Sequence, residues 1–353
     1  MKKIILFLLL GVIQFSTIAN VEIVQINGAM TTGVNGYYVP SDQQYKQVDV
    51  AFNLDFTLPV SSELTGFFQI QGGAGGSYLG FPGAEAVLTD INVTYQPNGQ
   101  PYSFVFGSFD TPFGQQTNRL SNNADMSANL FVKNPLLYAT LAGYVGTLNT
   151  LGLMTTFDYD LFEASVAVTN GTAESAANDD GNFETVLRIV SKVKGFADVS
   201  FSYLFSDDQG NTDSFDSLVS GWMIDLDKQL TDKMDLLSYF SQLSYNDKNA
   251  LTEDTIQSHL IELQYHFSDY SLAVRYDSYQ RADQASVNSD IPTSFLSYSS
   301  LPSGQVYKHF NSYSFGYQRS IQDDVQLKAE MFLETGDFEQ QAFGSIIYVT
   351  FFF

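Results

Sequence analysis

The sequence has no cysteine, which excludes disulfides, thiolate metal sites and cysteine nucleophiles together. Basic residues are scarce: 16 Lys+Arg stand against 39 Asp+Glu, a net charge of −23. Phosphate contacts need clustered Lys and Arg, so nucleic acid is excluded as a natural partner. Apart from the run Ile4 to Ile13, no hydrophobic stretch approaches the eighteen residues that a membrane-spanning helix requires. Of the three histidines, His259 and His266 lie seven apart in one strand, face opposite sides and cannot share a metal. There is no Gly-x-Ser-x-Gly elbow and no phosphate-binding glycine loop, and no nucleophile and base pair up in the sequence. The expectation is a non-enzyme with no cofactor and no metal.

What is present is aromatic and periodic. Phe and Tyr number 30 and 21, and aromatics make up 15% of the chain. From Gln47 to Leu58, Val48, Val50, Phe52, Leu54, Phe56 and Leu58 alternate with Gln47, Asp49, Ala51, Asn53, Asp55 and Thr57. A period of two, with one face wholly apolar and the other carrying charge, describes a strand between oil and water. The pattern returns at 162–169 and 325–334. Segmentation on this basis predicts about sixteen strands: 21–32, 46–58, 63–72, 84–95, 102–109, 147–158, 161–170, 183–194, 197–206, 216–229, 233–245, 255–267, 269–280, 309–320, 324–335 and 343–353. Connections alternate between short turns and long loops, the longest being 110–146. That alternation puts both ends of the barrel wall on the same side. A soluble sandwich would have to bury every apolar face in one core, which sixteen such strands do not suit. The fold class is therefore all-β, a transmembrane antiparallel barrel wide enough for an aqueous channel.

The two ends fit this reading. Met1-Lys2-Lys3, the apolar run and Ser16 to Ala19 read as a secretory signal peptide over 1–19, leaving 20–353 as the barrel. The last residues, FGSIIYVTFFF, put Ile347, Val349, Phe351 and Phe353 on one face and Tyr348, Thr350 and Phe352 on the other. This ending resembles the closing strand of a bacterial outer-membrane barrel. The resemblance implies that Tyr348, Phe351 and Phe353 form the signal read by the barrel-assembly machinery.

A second resemblance lies in GSFDTPFG (107–114), which opens the long insertion, and in the run 164–190, where Asn170-Gly171, an acidic loop and then Arg188 follow one another. Both are similar to motifs of the phosphate-selective porin superfamily and its siderophore-porin relatives. There the long loop folds into the lumen. Carried over, Asp110, Pro112, Phe113 and Gly114 would set the loop's departure, and Arg119 and Asp125 would line the constriction. A loop that merely covers the outer mouth is the alternative. Pro ends ladder donation and Gly permits the turn, a local reason for the chain to leave the sheet here.

Phosphate-selective members use clustered basic residues, and this chain departs from them. Alternation assigns Asp49, Asp55, Asp90, Glu163, Glu184, Asp225, Asp227, Glu262, Asp277, Glu330 and Glu334 to the lumen, against Arg188, Arg275 and Lys328. A field of one sign in a confined pore concentrates counter-ions, so weak cation preference is expected rather than phosphate specificity. Alternatively, the three basic residues pair with neighbouring carboxylates and leave the lumen nearly neutral. Tyr279, Phe240 and Phe332 are expected in the lumen as well. The expected function is passive diffusion of small hydrophilic solutes. The alternatives are a substrate-dedicated nutrient or siderophore barrel and a non-conducting adhesin. Expected partners are outer-membrane lipid, lipopolysaccharide, the assembly machinery and two further copies in a homotrimer.

Overall fold

The computed structural model describes residues 24–39, 43–74, 85–114, 131, 149–170, 183–192, 197–209, 216–247, 252–281, 309–336 and 341–353. The expected signal peptide lies outside the described residues. Sixteen strands form one closed antiparallel barrel in which each strand pairs with its chain neighbours and β1 pairs with β16. In order they are β1 (Gln25–Val39), β2 (Gln43–Pro59), β3 (Leu64–Ala74), β4 (Glu85–Tyr95), β5 (Tyr102–Asp110), β6 (Asn149–Asp158), β7 (Phe162–Thr169) and β8 (Glu184–Ser191). The second half comprises β9 (Asp198–Gln209), β10 (Asp216–Thr231), β11 (Met234–Asp247), β12 (Thr252–His266), β13 (Tyr270–Arg281), β14 (His309–Gln322), β15 (Val325–Gly336) and β16 (Gln341–Phe352).

The predicted period sets the two faces. In β2, Val48 is 65% exposed while Ala51 and Asn53 are buried. In β15, Val325, Leu327, Ala329, Met331 and Leu333 point outward between Gln326, Lys328, Glu330, Phe332 and Glu334, all buried. The outward row continues around the wall with Ile91, Phe106, Val166, Phe201, Ile224, Val274, Phe315 and Ile347, all exposed. A ring of exposed aliphatic and aromatic side chains is a surface for hydrocarbon, and an inner face of Ser, Thr, Gln and carboxylates is one for water. At the short-turn end, Tyr265, Phe267 and Tyr270 form a ladder of ring contacts at 4.7 and 4.4 Å, as an interfacial girdle requires.

The first hairpin differs from expectation. Residues 33–45 read as a loop, yet β1 runs to Val39 and β2 starts at Gln43. At Gly33 a pairing partner supplies the mass that the residue itself lacks. The Tyr348 ring lies across Gly33, where even a Cβ would come within 1.8 Å of it. On the outer face the Phe353 ring covers Gly28 in the same way. At Phe353 the ladder closes in both directions: Gly28 N–H donates to Phe353 O at 2.8 Å, and Phe353 N–H to Gly28 O at 3.0 Å.

Gly107 has a different reason to be glycine. Its φ is +121°, and a Cβ would lie 2.2 Å from the backbone oxygen of Ile91. Neither strain can relax without moving β4. Gly107→Ala is expected to destabilise the barrel by about 3 kcal/mol, combining backbone strain with overpacking. Thermal unfolding in detergent reads this directly, and a melting curve matching the parent's would refute it.

Candidate pore lumen

Strand register places the acidic and basic positions expected in the lumen on the inner face. Asp55 pairs with Gln69, whose Nε2 donates to Asp55 Oδ1 at 2.8 Å. Asp90 stands across from Gln69 on the next strand. Asp49 occupies an inward position opposite Gly33, and its side chain lies outside the described residues. Further round, Glu184 accepts from Thr169 Oγ1 at 3.3 Å, Asp225 accepts from Ser200, and Asp227 follows it two residues on. Tyr239 donates to Asp277 at 3.4 Å. Lys328, Glu330 and Glu334 line β15, all buried. Tyr279 and Phe332 point inward as expected. Phe240 does not: its alternation partner in register is His259, both face outward, and Phe240 packs on Trp222 at 5.4 Å. The run Leu236-Leu237-Ser238-Tyr239 has apolar residues on both faces, which hid the parity from the sequence.

Arg188 and Arg275 are tied to neighbouring carboxylates. Arg188 meets Glu163 at 3.3 Å, and Arg275 Nε meets Glu262 at 2.8 Å with both side chains almost fully buried. Lys192, beyond the end of β8, bonds Asp158 and lies 3.3 Å from Glu163. Its hydrogen bond with Asp158 raises the Lys192 pKa above the ordinary lysine range, so this contact holds the ammonium form at the rim. The inner face thus keeps an excess of carboxylates while Arg188 and Arg275 are neutralised by neighbours.

The long insertion leaves β5 toward the inside. Phe109, Thr111, Pro112, Phe113 and Gly114 are all buried. Gly114 N–H donates 2.8 Å to Ser202 Oγ on β9, and its φ of +77° suits the turn. A Cβ on Gly114 would lie 2.5 Å from Met223 Sδ and 3.5 Å from Asp225 Oδ2, both inward residues of β10. The segment has therefore crossed from β5 to the inner face of β9 and β10. Asp110, the last residue of β5, is half-buried. Further along, Phe131 is buried, with its ring 4.2 Å above the Arg275 guanidinium and Ala273 beside it. A ring over a guanidinium held by Glu262 is an attractive cation–π contact in a desolvated place. Arg119 and Asp125 lie outside the described residues.

One contact escaped the sequence reading. His266 Nδ1 lies 2.9 Å from Ser271 Oγ, and its Nε2 lies 2.8 Å from Asp235 Oδ2. The three residues belong to adjacent strands at the short-turn end, and together they tie β11, β12 and β13. The only sequence signal for the pair was that His266 and Ser271 stand on either side of the short connection between β12 and β13.

No protein-family model matches the chain. No curated protein matches it either. Solved structures do. The outer-membrane channel DcaP of Acinetobacter baumannii shares 11% identity over 94% of this chain and 97% of that one, with a TM-score of 0.63. OprB of Pseudomonas putida shares 10% over 94% of each chain, with a TM-score of 0.69. The outer-membrane protein OmpT of Vibrio cholerae, in a trimer form, shares 10% over 94% of this chain and all of that one, at 0.62. At such identities the likeness is one of fold. The fold these outer-membrane proteins share with the chain is a closed antiparallel barrel, here of sixteen strands with an apolar exterior. The likeness extends to several outer-membrane proteins and singles out none of them.

Proposed function

We propose that the chain is an outer-membrane diffusion channel for small hydrophilic solutes and ions, with weak preference for cations, and not an enzyme. The observation that carries this is the inner face: its carboxylates outnumber its basic residues, and Arg188 and Arg275 are each bound to a glutamate. The net charge of the inner face is therefore negative, which favours permeant cations. The segment from Asp110 to Gly114, with Phe131, supports the loop as the element that narrows the lumen. Single-channel recording of the purified protein in a planar bilayer, with a KCl gradient, tests both parts. Steady openings with a cation-directed reversal potential are expected; an anion-directed potential would overturn the selectivity, and a silent membrane the channel itself.

A second reading, a barrel dedicated to one nutrient, is favoured by the close filling of the inner face, where Tyr239, Phe332, Tyr348 and Leu204 are all at most 2% exposed. Saturable flux and block by a single solute would distinguish it from a general pore. The proposed setting is the outer membrane, with lipopolysaccharide against the wall, delivery by the barrel-assembly machinery and a homotrimeric state. Within that setting Phe351 and Phe353 face lipid and Tyr348 faces the lumen, as the terminal signal would present them. Removing Phe353 is expected to lower the yield of heat-modifiable, assembled barrel in outer-membrane fractions. Undiminished yield would refute a role for the terminal residue.

A further inference from the structure

We infer that Asn98 is a site of spontaneous chemical modification, converting to aspartate and isoaspartate in the folded barrel. The sequence has four Asn-Gly steps, at Asn27, Asn35, Asn98 and Asn170. Glycine leaves the backbone nitrogen after the asparagine unshielded, so it reaches the side-chain carbonyl carbon wherever the backbone is free to bend. Gly171 lies outside the described residues, and the other three steps differ in their backbone. Asn27 and Asn35 stand within β1. There the Gly28 N–H is engaged by Phe353 O at 2.8 Å, and Gly36 pairs with Ser345 and Lys46. Asn98 stands in the turn 96–101 that joins β4 to β5. Gln100 N–H closes the turn on Pro97 O at 3.1 Å, and Gly99 takes a φ of +70°. Asn98 and Gly99 are both exposed, and beyond the chain neighbours no atom lies within 4 Å of where a Gly99 Cβ would stand. The Gly99 N–H has no hydrogen-bond partner among the described residues. Asn27 is exposed as well, so what separates the steps is the ladder and not access to water.

The reaction needs water alone. The Gly99 nitrogen gives its proton to solvent and bonds to Asn98 Cγ; the Cγ–Nδ2 bond breaks, and Nδ2 takes up a proton and leaves as ammonia. Water then opens the cyclic imide. Opening at Cγ gives aspartate, and opening at the main-chain carbonyl gives isoaspartate, with the chain rerouted through the side chain. One water oxygen stays in the residue, and nothing is oxidised or reduced. The lost amide has a place in the fold. Asn98 Nδ2 donates to Ser62 Oγ at 3.0 Å and Asn98 N–H to Glu63 Oε1 at 3.0 Å, tying this turn to the one between β2 and β3. A carboxylate at residue 98 removes the Nδ2 donor and sets a like charge near Glu63. The strands that the turn joins, β4 and β5, pair only from Asn92 with Gly107 to Tyr95 with Phe104, the shortest register among the described residues. Ageing therefore strikes the connection that its own ladder supports least. This inference stands whether or not the barrel conducts.

The test is to age the folded protein in detergent, in mildly alkaline buffer made with heavy-oxygen water, and to map its peptides by mass spectrometry. Heavy oxygen is expected at residue 98, in aspartate and isoaspartate together, while Asn27 and Asn35 keep their amides because the ladder must open first. The same chain unfolded in urea should lose all three amides. An intact Asn98 in the folded barrel would overturn the site, and so would equal conversion of Asn27, Asn35 and Asn98. Asn98→Ser has no amide to lose and tests the consequence. On ageing, the parent should come to lose its heat-modifiable, folded band at a lower temperature, and the variant should not. An equal drop in both would show that the modification leaves the tie between the turns untouched.

Discussion

Arg275→Ala should cost the barrel about 3–5 kcal/mol, the usual effect of stripping one partner from a buried ion pair. The side chains of Arg275 and Glu262 are only 7% and 5% exposed, so the carboxylate left behind has little access to water. The same substitution removes the platform under Phe131. Removing the pair together should be milder: Arg275→Met with Glu262→Gln is expected to cost less than Arg275→Ala alone, because the two directly bonded charges leave together, although Glu330 and Asp277 also lose the cation they face. A double-mutant cycle in urea, followed by intrinsic fluorescence in detergent, yields the coupling energy. If the single variant unfolds within about 1 kcal/mol of the parent, lumen water already solvates the pair and the pair is not a structural element.

Excising residues 115–135 should enlarge single-channel conductance roughly in proportion to the cross-section it frees. The excision removes Phe131 from the inner face of β13 and whatever lies between it and Gly114, while keeping the exit at Asp110 to Gly114. The size limit for neutral sugars in liposome swelling should rise with it. The reversal potential should keep its sign, since the wall carboxylates on β10, β12, β13 and β15 remain. Unchanged conductance would mean that the insertion covers the outer mouth and leaves the bore alone. A changed sign would instead assign selectivity to the insertion.

The architecture was legible because a strand between lipid and water writes itself with a period of two. β2, β7 and β15 carry that period without a break, and their faces came out as expected. Strand ends were less legible: Gly33 and Gly36 resemble a loop until Tyr348 is known to lie across one of them, more than 300 residues away in the chain. Which face the charged positions occupy was legible because charge seldom faces lipid, so parity alone assigns it. Phe240 was misplaced because its strand has apolar residues on both faces. No period in the sequence points to Phe131, since its partner Arg275 is set by the path of a long insertion. The His266, Ser271 and Asp235 contact needed two registers at once, β11 with β12 and β12 with β13.

The seam between β1 and β16 bears on how the molecule can fold. Thr31 and Thr350, 319 positions apart in the chain, share a 2.9 Å hydrogen bond, so this pairing closes almost the whole chain into a ring. Every other strand pair joins neighbours along the chain and can form early. The entropy of closing so long a segment must be met before the seam returns any contact, which makes the seam a late, slow step. Until it forms, β1 and β16 present two bare ladder edges. Their outward Phe351 and Ile347 are the aggregation-prone kind of edge that a chaperone must cover.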